Sequence, residues 1–352
     1  MKTNNRGSRA YVQHAYSYKD RDMKLFTTKK IWLGLISVAM MNVAMAQGSG
    51  SAQYPIKPIR LVVPFAPGGP TDIAARSISQ KLSESLGQSI VVENKPGAGG
   101  TLGSADVARA AADGYTLLYG SSSTLAVSPA LYENLSYDAA NAFAPVGMVA
   151  RGPQVIVINN SLPVSNFKEF VEYAKKNHGS IFYSSAGIGS VGNLASELLI
   201  NTVGIEATHV PYKGGSPAIN AVVAGETHFT IDAVGTTAEF VKAGKLKAIA
   251  VLSDARTNFA PSVPTVNEAG FPPVVADFWS GIVAPAGTPQ IVIDKLNAAI
   301  VAALKGPDVT KQLRTLGSEP QGGTPSEFAS LIKTESAKWA EVVKRSGAKP
   351  GN

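Results

Sequence analysis

From Tyr54 onward, short runs rich in Ile, Val, Leu and Tyr alternate with longer stretches in which apolar residues return every three or four positions. The first kind suits strands and the second helices, and their regular alternation argues parallel pairing under a cover of helices. The pattern predicts strands at 59–64, 89–93 and 115–119, with helices at 71–86 and 101–112 between them. Within 71–86, Ala74, Ile78, Leu82 and Leu86 fall four apart on one face, and Gly87 closes the helix. A second series opens with a strand at 155–158 and a helix whose face is Phe167, Phe170, Val171 and Ala174. Strands at 181–183, 207–210 and 229–231 then precede helices near 194–202, 217–224 and 237–243. A strand at 247–252, a returning strand at 280–284 and long helices at 289–304 and 325–345 complete the chain. The expected fold is therefore α/β with two domains, each a mostly parallel sheet flanked by helices. Residues 54–150 plus 280–352 should form one domain and 151–279 the other, with the chain crossing twice, near 149–152 and 277–282.

The segment before Tyr54 follows a different logic. Lys24, Lys29 and Lys30 precede an apolar run over 31–41, and Ala44-Met45-Ala46 follows it. A basic start, a short apolar run and an A-x-A site predict a secretory signal peptide over 23–46. The apolar run is too short for a membrane span, which takes about 20 residues. Translation is expected to start at Met23, leaving 1–22 as an extension that is not made.

Composition changes the picture at two points. The chain has no cysteine, which excludes disulfides, thiolate metal sites and a cysteine nucleophile. Its 352 residues carry a formal charge of +7, but residues 1–46 account for +6 of it, with 8 Lys and Arg against 2 Asp and Glu. The remainder, at +1, has no field to steer it onto nucleic acid.

Candidate chemistry gathers where predicted strands end. Pro64-Phe65-Ala66-Pro67-Gly68-Gly69-Pro70-Thr71-Asp72 follows the first strand, and Gly120-Ser121-Ser122-Ser123-Thr124 the third. Ser184-Ser185-Ala186-Gly187-Ile188-Gly189-Ser190-Val191-Gly192-Asn193 and Asp232-Ala233-Val234-Gly235 do the same in the second half. Ligands of open α/β sheets bind outside such strand ends, and glycine lets helix-start N–H groups approach an anion. A single turn-rich loop would be unremarkable; six such loops on two sheets, counting also 96–101 and 212–217, argue for a cleft. Ser121, Ser123 and Asp232 are candidates from this position alone. Asp72, in a first helical turn, has capping or loop bracing as its competing role.

Other chemistries fare worse. Gly187-Ile188-Gly189-Ser190-Val191-Gly192 satisfies the dinucleotide fingerprint, but no acid stands at the end of the next strand to hold a ribose. No G-x-S-x-G, H-E-x-x-H or Walker motif occurs, and His178, His209 and His228 are scattered. No cofactor, metal or catalytic residue is expected.

Five segments in order resemble the Bug-type periplasmic solute receptors of tripartite tricarboxylate transporters: the 65–72 run above, Asn94-Lys95-Pro96-Gly97-Ala98-Gly99-Gly100, Pro211-Tyr212-Lys213-Gly214-Gly215-Ser216-Pro217-Ala218, Pro264-Thr265-Val266-Asn267-Glu268-Ala269-Gly270 and Ala284-Pro285-Ala286-Gly287-Thr288-Pro289. The resemblance spans nearly all of the chain after Tyr54. It implies a type II periplasmic binding protein, two domains closing like a flytrap on a small organic acid in the periplasm, with a tripartite membrane permease receiving the ligand. It also implies two loops that grip a carboxylate through backbone and hydroxyl groups. Carried onto this chain, the first comprises Phe65, Pro67, Gly68, Gly69, Pro70, Thr71 and Asp72, and the second Ser185, Ala186, Gly187, Gly189, Ser190 and Asn193. Asn193 stands where the family more often has histidine. Lys213, the one cation near the grip, is not expected to anchor the acid, because fixed N–H groups need no counter-charge. The alternatives are a sensor that signals to a membrane kinase and, further off, a secreted enzyme using the same cleft.

Overall fold

The computed structural model describes residues 54–132, 134–212, 214–347 and 349. The signal-peptide expectation for 23–46, the extension 1–22 and Lys213 all lie outside the described residues. Two sheets organise the rest. The first is six-stranded, in the spatial order 319–322, 143–152, 278–285, 116–121, 59–63, 90–94, and the second five-stranded, in the order 208–211, 182–185, 229–233, 154–159, 246–251.

β1 (Ile59–Val63) pairs in parallel with β2 (Ile90–Asn94) and β3 (Thr116–Ser121). Between them run α1 (Pro70–Leu86) and α2 (Thr101–Ala108). α1 buries Ala74, Ile78 and Leu82 as the four-residue spacing requires, and Gly87, at φ 67°, closes it. In the second sheet β6 (Phe182–Ser185) pairs in parallel with β7 (Thr208–Pro211) and β8 (Phe229–Ala233). The helices α4 (Phe167–Lys176), α5 (Val191–Val203), α6 (Gly215–Ala224) and α7 (Val234–Lys242) accompany that sheet.

The α/β class with two helix-flanked sheets matches the expectation, and most strands of each sheet point one way, with a few reversed among them. β10 (Phe278–Pro285) runs antiparallel to both β3 and β4 (Phe143–Gly152). β5 (Gln154–Asn159) runs antiparallel to β8 and to β9 (Leu246–Val251). β5 and β10 are the strands that receive the chain as it crosses from the other sheet, so their direction is set by the crossing and not by a helical return. The carboxyl ends of β1, β3, β6 and β8 nevertheless meet the crossings at one edge of each sheet, since Ser280 faces Ser121 and Gln154 faces Ala233.

Elements not foreseen include β4, a wide helical turn over Ser123–Val127, closed by the Ser128 N–H donating to the Ser123 carbonyl, α3 (Ser128–Leu131), α9 (Pro307–Thr315) and β11 (Glu319–Gly322). α8 (Gln290–Leu304) and α10 (Pro325–Ser346) are the long helices foreseen, and α10 starts with a capping box between Thr324 and Glu327.

One cluster of buried apolar side chains runs from Val62 and Leu118 through Leu125 and Trp339 to Leu194 and Phe170 and is shared by both halves, while a second, with Val155, Val157, Ile219 and Val222, lies within the second half. α10 lies against β4, the wide turn and α5, and thereby against elements of both. Its Trp339 Nε1–H donates to Glu335 Oε2 at 3.1 Å, and Phe328 meets Trp279 edge to face at 5.8 Å.

The crossing is braced by charge. Arg151, at the end of β4, donates to Asp277 Oδ2 from Nε at 2.7 Å, just ahead of β10. Asp277 is 8% exposed, and burial pushes its carboxyl above the usual range although Arg151 pulls it down. Arg151→Met should therefore leave a buried charge unpaired and cost roughly 1–3 kcal/mol in denaturant unfolding. Arg151→Met with Asp277→Asn should recover most of that loss, because the cycle removes the charge along with its partner.

Candidate functional site

The edge where strand ends and crossings meet encloses a cavity of about 200 Å³. Its walls come from both halves: Pro70, Thr71 and Ser123 on one side, Ala186, Ser190 and Asp232 on the other. These are six of the residues foreseen from sequence. The wall also includes Val191 and Gly192, and Gln154, Phe278 and Ser280 from the crossing strands. Leu313, Leu316 and Ser318, from α9 and the turn after it, close one side.

Helix starts supply the donors. α1 begins with Pro70 at its first position and Thr71 at its second, while its first internal bond runs from the Ile73 N–H to the Gly69 carbonyl. The Thr71 N–H is thus among those a helix cannot satisfy internally. α5 begins at Val191, and the Leu194 N–H reaches back to Ser190. Ser190 Oγ accepts from the Asn193 N–H at 3.2 Å, leaving the N–H groups of Val191 and Gly192 without a partner among the described residues. Because Ser190 Oγ is occupied only as an acceptor, its own proton remains available to an anion. The two helix dipoles favour negative charge at the same place.

The remaining foreseen residues hold these donors in position. The Asp72 carboxylate, 3% exposed, accepts from the Gly68 N–H at 2.9 Å, from Arg76 Nε at 2.9 Å and from Asn94 Nδ2 at 2.8 Å. Burial alone would raise its pKa, but those bonds and the Arg76 charge outweigh burial and hold it below the usual carboxylate range. Asp72 ties the loop over 64–69 down onto α1, while Phe65 offers its carbonyl to Asn94 Nδ2. Gly68, at φ 78°, adopts the left-handed conformation that the turn needs. Gly69 and Pro67 do not line the cavity, and a Cβ at Gly69 would meet only the Ala66 carbonyl at 3.6 Å, so that backbone accepts a side chain.

In the second loop Asn193 plays the part that Asp72 plays in the first. It is 3% exposed and its Oδ1 accepts from the Gly189 N–H at 3.0 Å, while Nδ2 donates to Tyr183 OH at 2.9 Å. Ser185 Oγ contacts His209 Nε2 at 2.7 Å and accepts from the Gly187 N–H at 3.1 Å. Tyr183 stacks on His209 at 4.8 Å. Gly187, Gly189, Ser185 and Asn193 therefore shape the loop from behind and do not line the cavity. Ser121 is fully buried, its N–H donating to Thr124 Oγ1, and it too stands behind the wall that Ser123 forms.

Asp232 is the exception. It is the penultimate residue of β8, lines the cavity, and takes bonds to Oδ1 from the Ala233 N–H at 2.7 Å and the Thr236 hydroxyl at 2.8 Å. Its enclosed surroundings push its carboxyl upward against those bonds.

The halves touch directly around the cavity. A Cβ at Gly235, in the first turn of α7, would stand 2.5 Å from the Gly317 nitrogen and the Leu316 carbonyl carbon across the cleft. Only paired glycines allow this backbone-to-backbone approach.

Two mixed α/β halves, joined by crossing strands and closed over a cavity of helix starts, define the fold of periplasmic solute-binding proteins. Residues 74–348 match the family described as tripartite tricarboxylate transporter family receptor, and the chain belongs to that family. The periplasmic binding protein BugD is 37% identical to it, with a TM-score of 0.73, over 84% of this chain and 99% of that one. Rpa4515 of R. palustris, solved with adipate, is 36% identical, with a TM-score of 0.76 over 85% of this chain and 100% of that one. MatC of Rhodopseudomonas palustris, solved with bound malate, is 36% identical, with a TM-score of 0.73 over 82% and 100%.

Gly235→Ala should keep α7 intact, since alanine is the better helix former, yet cost the closed arrangement about 1–3 kcal/mol through overlap. Small-angle scattering should then give a larger radius of gyration than for the unaltered chain; an equal radius would mean that the 316–317 turn yields instead. Burial pushes His209 down to about 4, below an unfolded value of about 6.5. The unfolded chain therefore binds the proton first, so this contribution is complete above about pH 6.5 and drains away as pH falls toward about 4. His209→Gln should flatten that limb of the stability profile in denaturant titrations, though not abolish it, because burial also lowers His228.

Proposed function

We propose that this chain is a periplasmic receptor that captures a small organic acid in the cavity and delivers it to a membrane permease without chemical change. In this reading, residues 54–150 with 280–352 form one lobe and 151–279 the other, and the acid's carboxylate is held by the first turns of α1 and α5. The observation that carries it is the convergence, from both halves, of unpartnered N–H groups of Thr71, Val191 and Gly192 with the Ser190 hydroxyl. Relatives solved with adipate and malate support a carboxylate as the cargo. The family's place in a three-part transporter supports the permease as recipient.

Native mass spectrometry of the chain purified from periplasm should find a retained small acid, and calorimetry with that acid should show one site. Ser190→Ala should weaken binding by about 0.5–3 kcal/mol, the worth of a hydrogen bond to an anion. Sustained conversion of the acid, or undiminished affinity in Ser190→Ala, would overturn the reading.

A further inference from the structure

Among the described residues on the cavity wall, Asp232 is the one ionisable side chain. An anion-capturing cavity whose formal charge is negative needs an explanation. Asp232 Oδ1 is saturated by the Ala233 N–H and the Thr236 hydroxyl, whereas Oδ2 makes no hydrogen bond among the described residues. Oδ2 lies against Gly215 at the start of α6, where a Cβ would come within 2.7 Å of it, so the carboxyl cannot swing far that way. No Lys, Arg or His of the described chain pairs with it, in contrast to Asp72, which has Arg76. The rest of the wall mixes apolar groups, among them Ala74, Ile231, Phe278 and Leu313, with the uncharged polar side chains of Ser123, Gln154, Ser280 and Ser318.

These features separate two kinds of acid. A dicarboxylate spends one carboxylate on the helix starts and brings the second toward the Asp232 carboxyl, whose free Oδ2 is an acceptor and, when ionised, repels a like charge. A monocarboxylate whose second polar group donates a hydrogen bond satisfies Oδ2 instead, and its hydrocarbon part meets the apolar wall. We infer that the cavity selects acids with a single carboxylate and a hydrogen-bond donor, an ammonium or a hydroxyl, and that Asp232 is the residue that selects them. This rests on the receptor reading above and narrows its ligand class away from dianions such as adipate and malate.

The test compares acids of equal length that differ at one end. Calorimetry on the full mature chain would use 6-aminohexanoate, 6-hydroxyhexanoate, hexanoate and adipate, and the matching four-carbon set of 4-aminobutyrate, 4-hydroxybutyrate, butyrate and succinate. In at least one set, an acid bearing the donor should bind at least about tenfold tighter than the dicarboxylate. Asp232→Asn, with circular dichroism confirming its fold, should narrow that gap by about tenfold or reverse it, with the ammonium acid losing more than the hydroxy acid. Tighter binding of adipate or succinate by the unaltered chain would overturn the inference, and so would a ranking that Asp232→Asn leaves unmoved. The ranking on the unaltered chain stands even if the variant fails to fold. Absence of binding and of thermal shift with every acid in both sets would overturn the receptor reading itself, and this inference with it.

Discussion

A helix that starts at the rim of a cavity leaves N–H groups that its own turns cannot satisfy. In this chain that constraint organises the cleft. Thr71 on one side and Val191 with Gly192 on the other present such groups to a shared space, and the loops before them are shaped to keep the space open. Asp72 and Asn193 do the shaping. Each is buried, sits at the third position of its helix, and turns its oxygen back to a glycine N–H four residues earlier, Gly68 in one loop and Gly189 in the other. Similar local geometry thus recurs in both halves with a carboxylate in one and an amide in the other. The carboxylate is affordable where Arg76 accompanies it; the amide suits the second loop, where Tyr183 OH takes its remaining donor.

The parallel strands, the helices that follow them and the glycine-rich turns between were legible because each depends on neighbours in sequence. Periodicity of four placed Ile78 and Leu82 in the core, and turn residues placed Thr71 and Ser190 at helix starts. What stayed hidden depends on partners far along the chain. Gln154 and Phe278 open strands whose apolar pattern is ordinary, and only the crossings bring both to the cavity. α9 is short and mostly polar; Val309, Leu313 and Leu316 mark one face of it by their spacing, but spacing alone does not say that this face meets the cavity. β11, Glu-Pro-Gln-Gly, has no strand character of its own and is held by pairing with β4. Direction was the other blind spot, since alternation of strand and helix predicts parallel neighbours and says nothing of strands that carry the chain between sheets.

The distinction between lining and supporting residues also could not be read from the string. Ser185 and Ser190 occur in the same loop with the same side chain. The first faces His209 beneath the surface, and the second faces the cavity. Which way each points follows from strand pleat for Ser185, the last residue of β6, and from capping geometry for Ser190.

The crossings are also neighbours in the ladder. Phe278 pairs with Gly152, Trp279 with Arg151 and Ser280 with Ala150, and a single residue, Pro153, separates Gly152 from Gln154. Two tethers bonded side by side behave as a strap: it twists and flexes about its thin direction but resists shear, because sliding one strand past the other would break their mutual bonds. In the receptor proposed above, the path along which the halves part is therefore written into the strap and not into the cargo. Wall residues outside the strap, such as Asp232 and Leu313, are then free to differ between receptors of this plan while the swing stays the same.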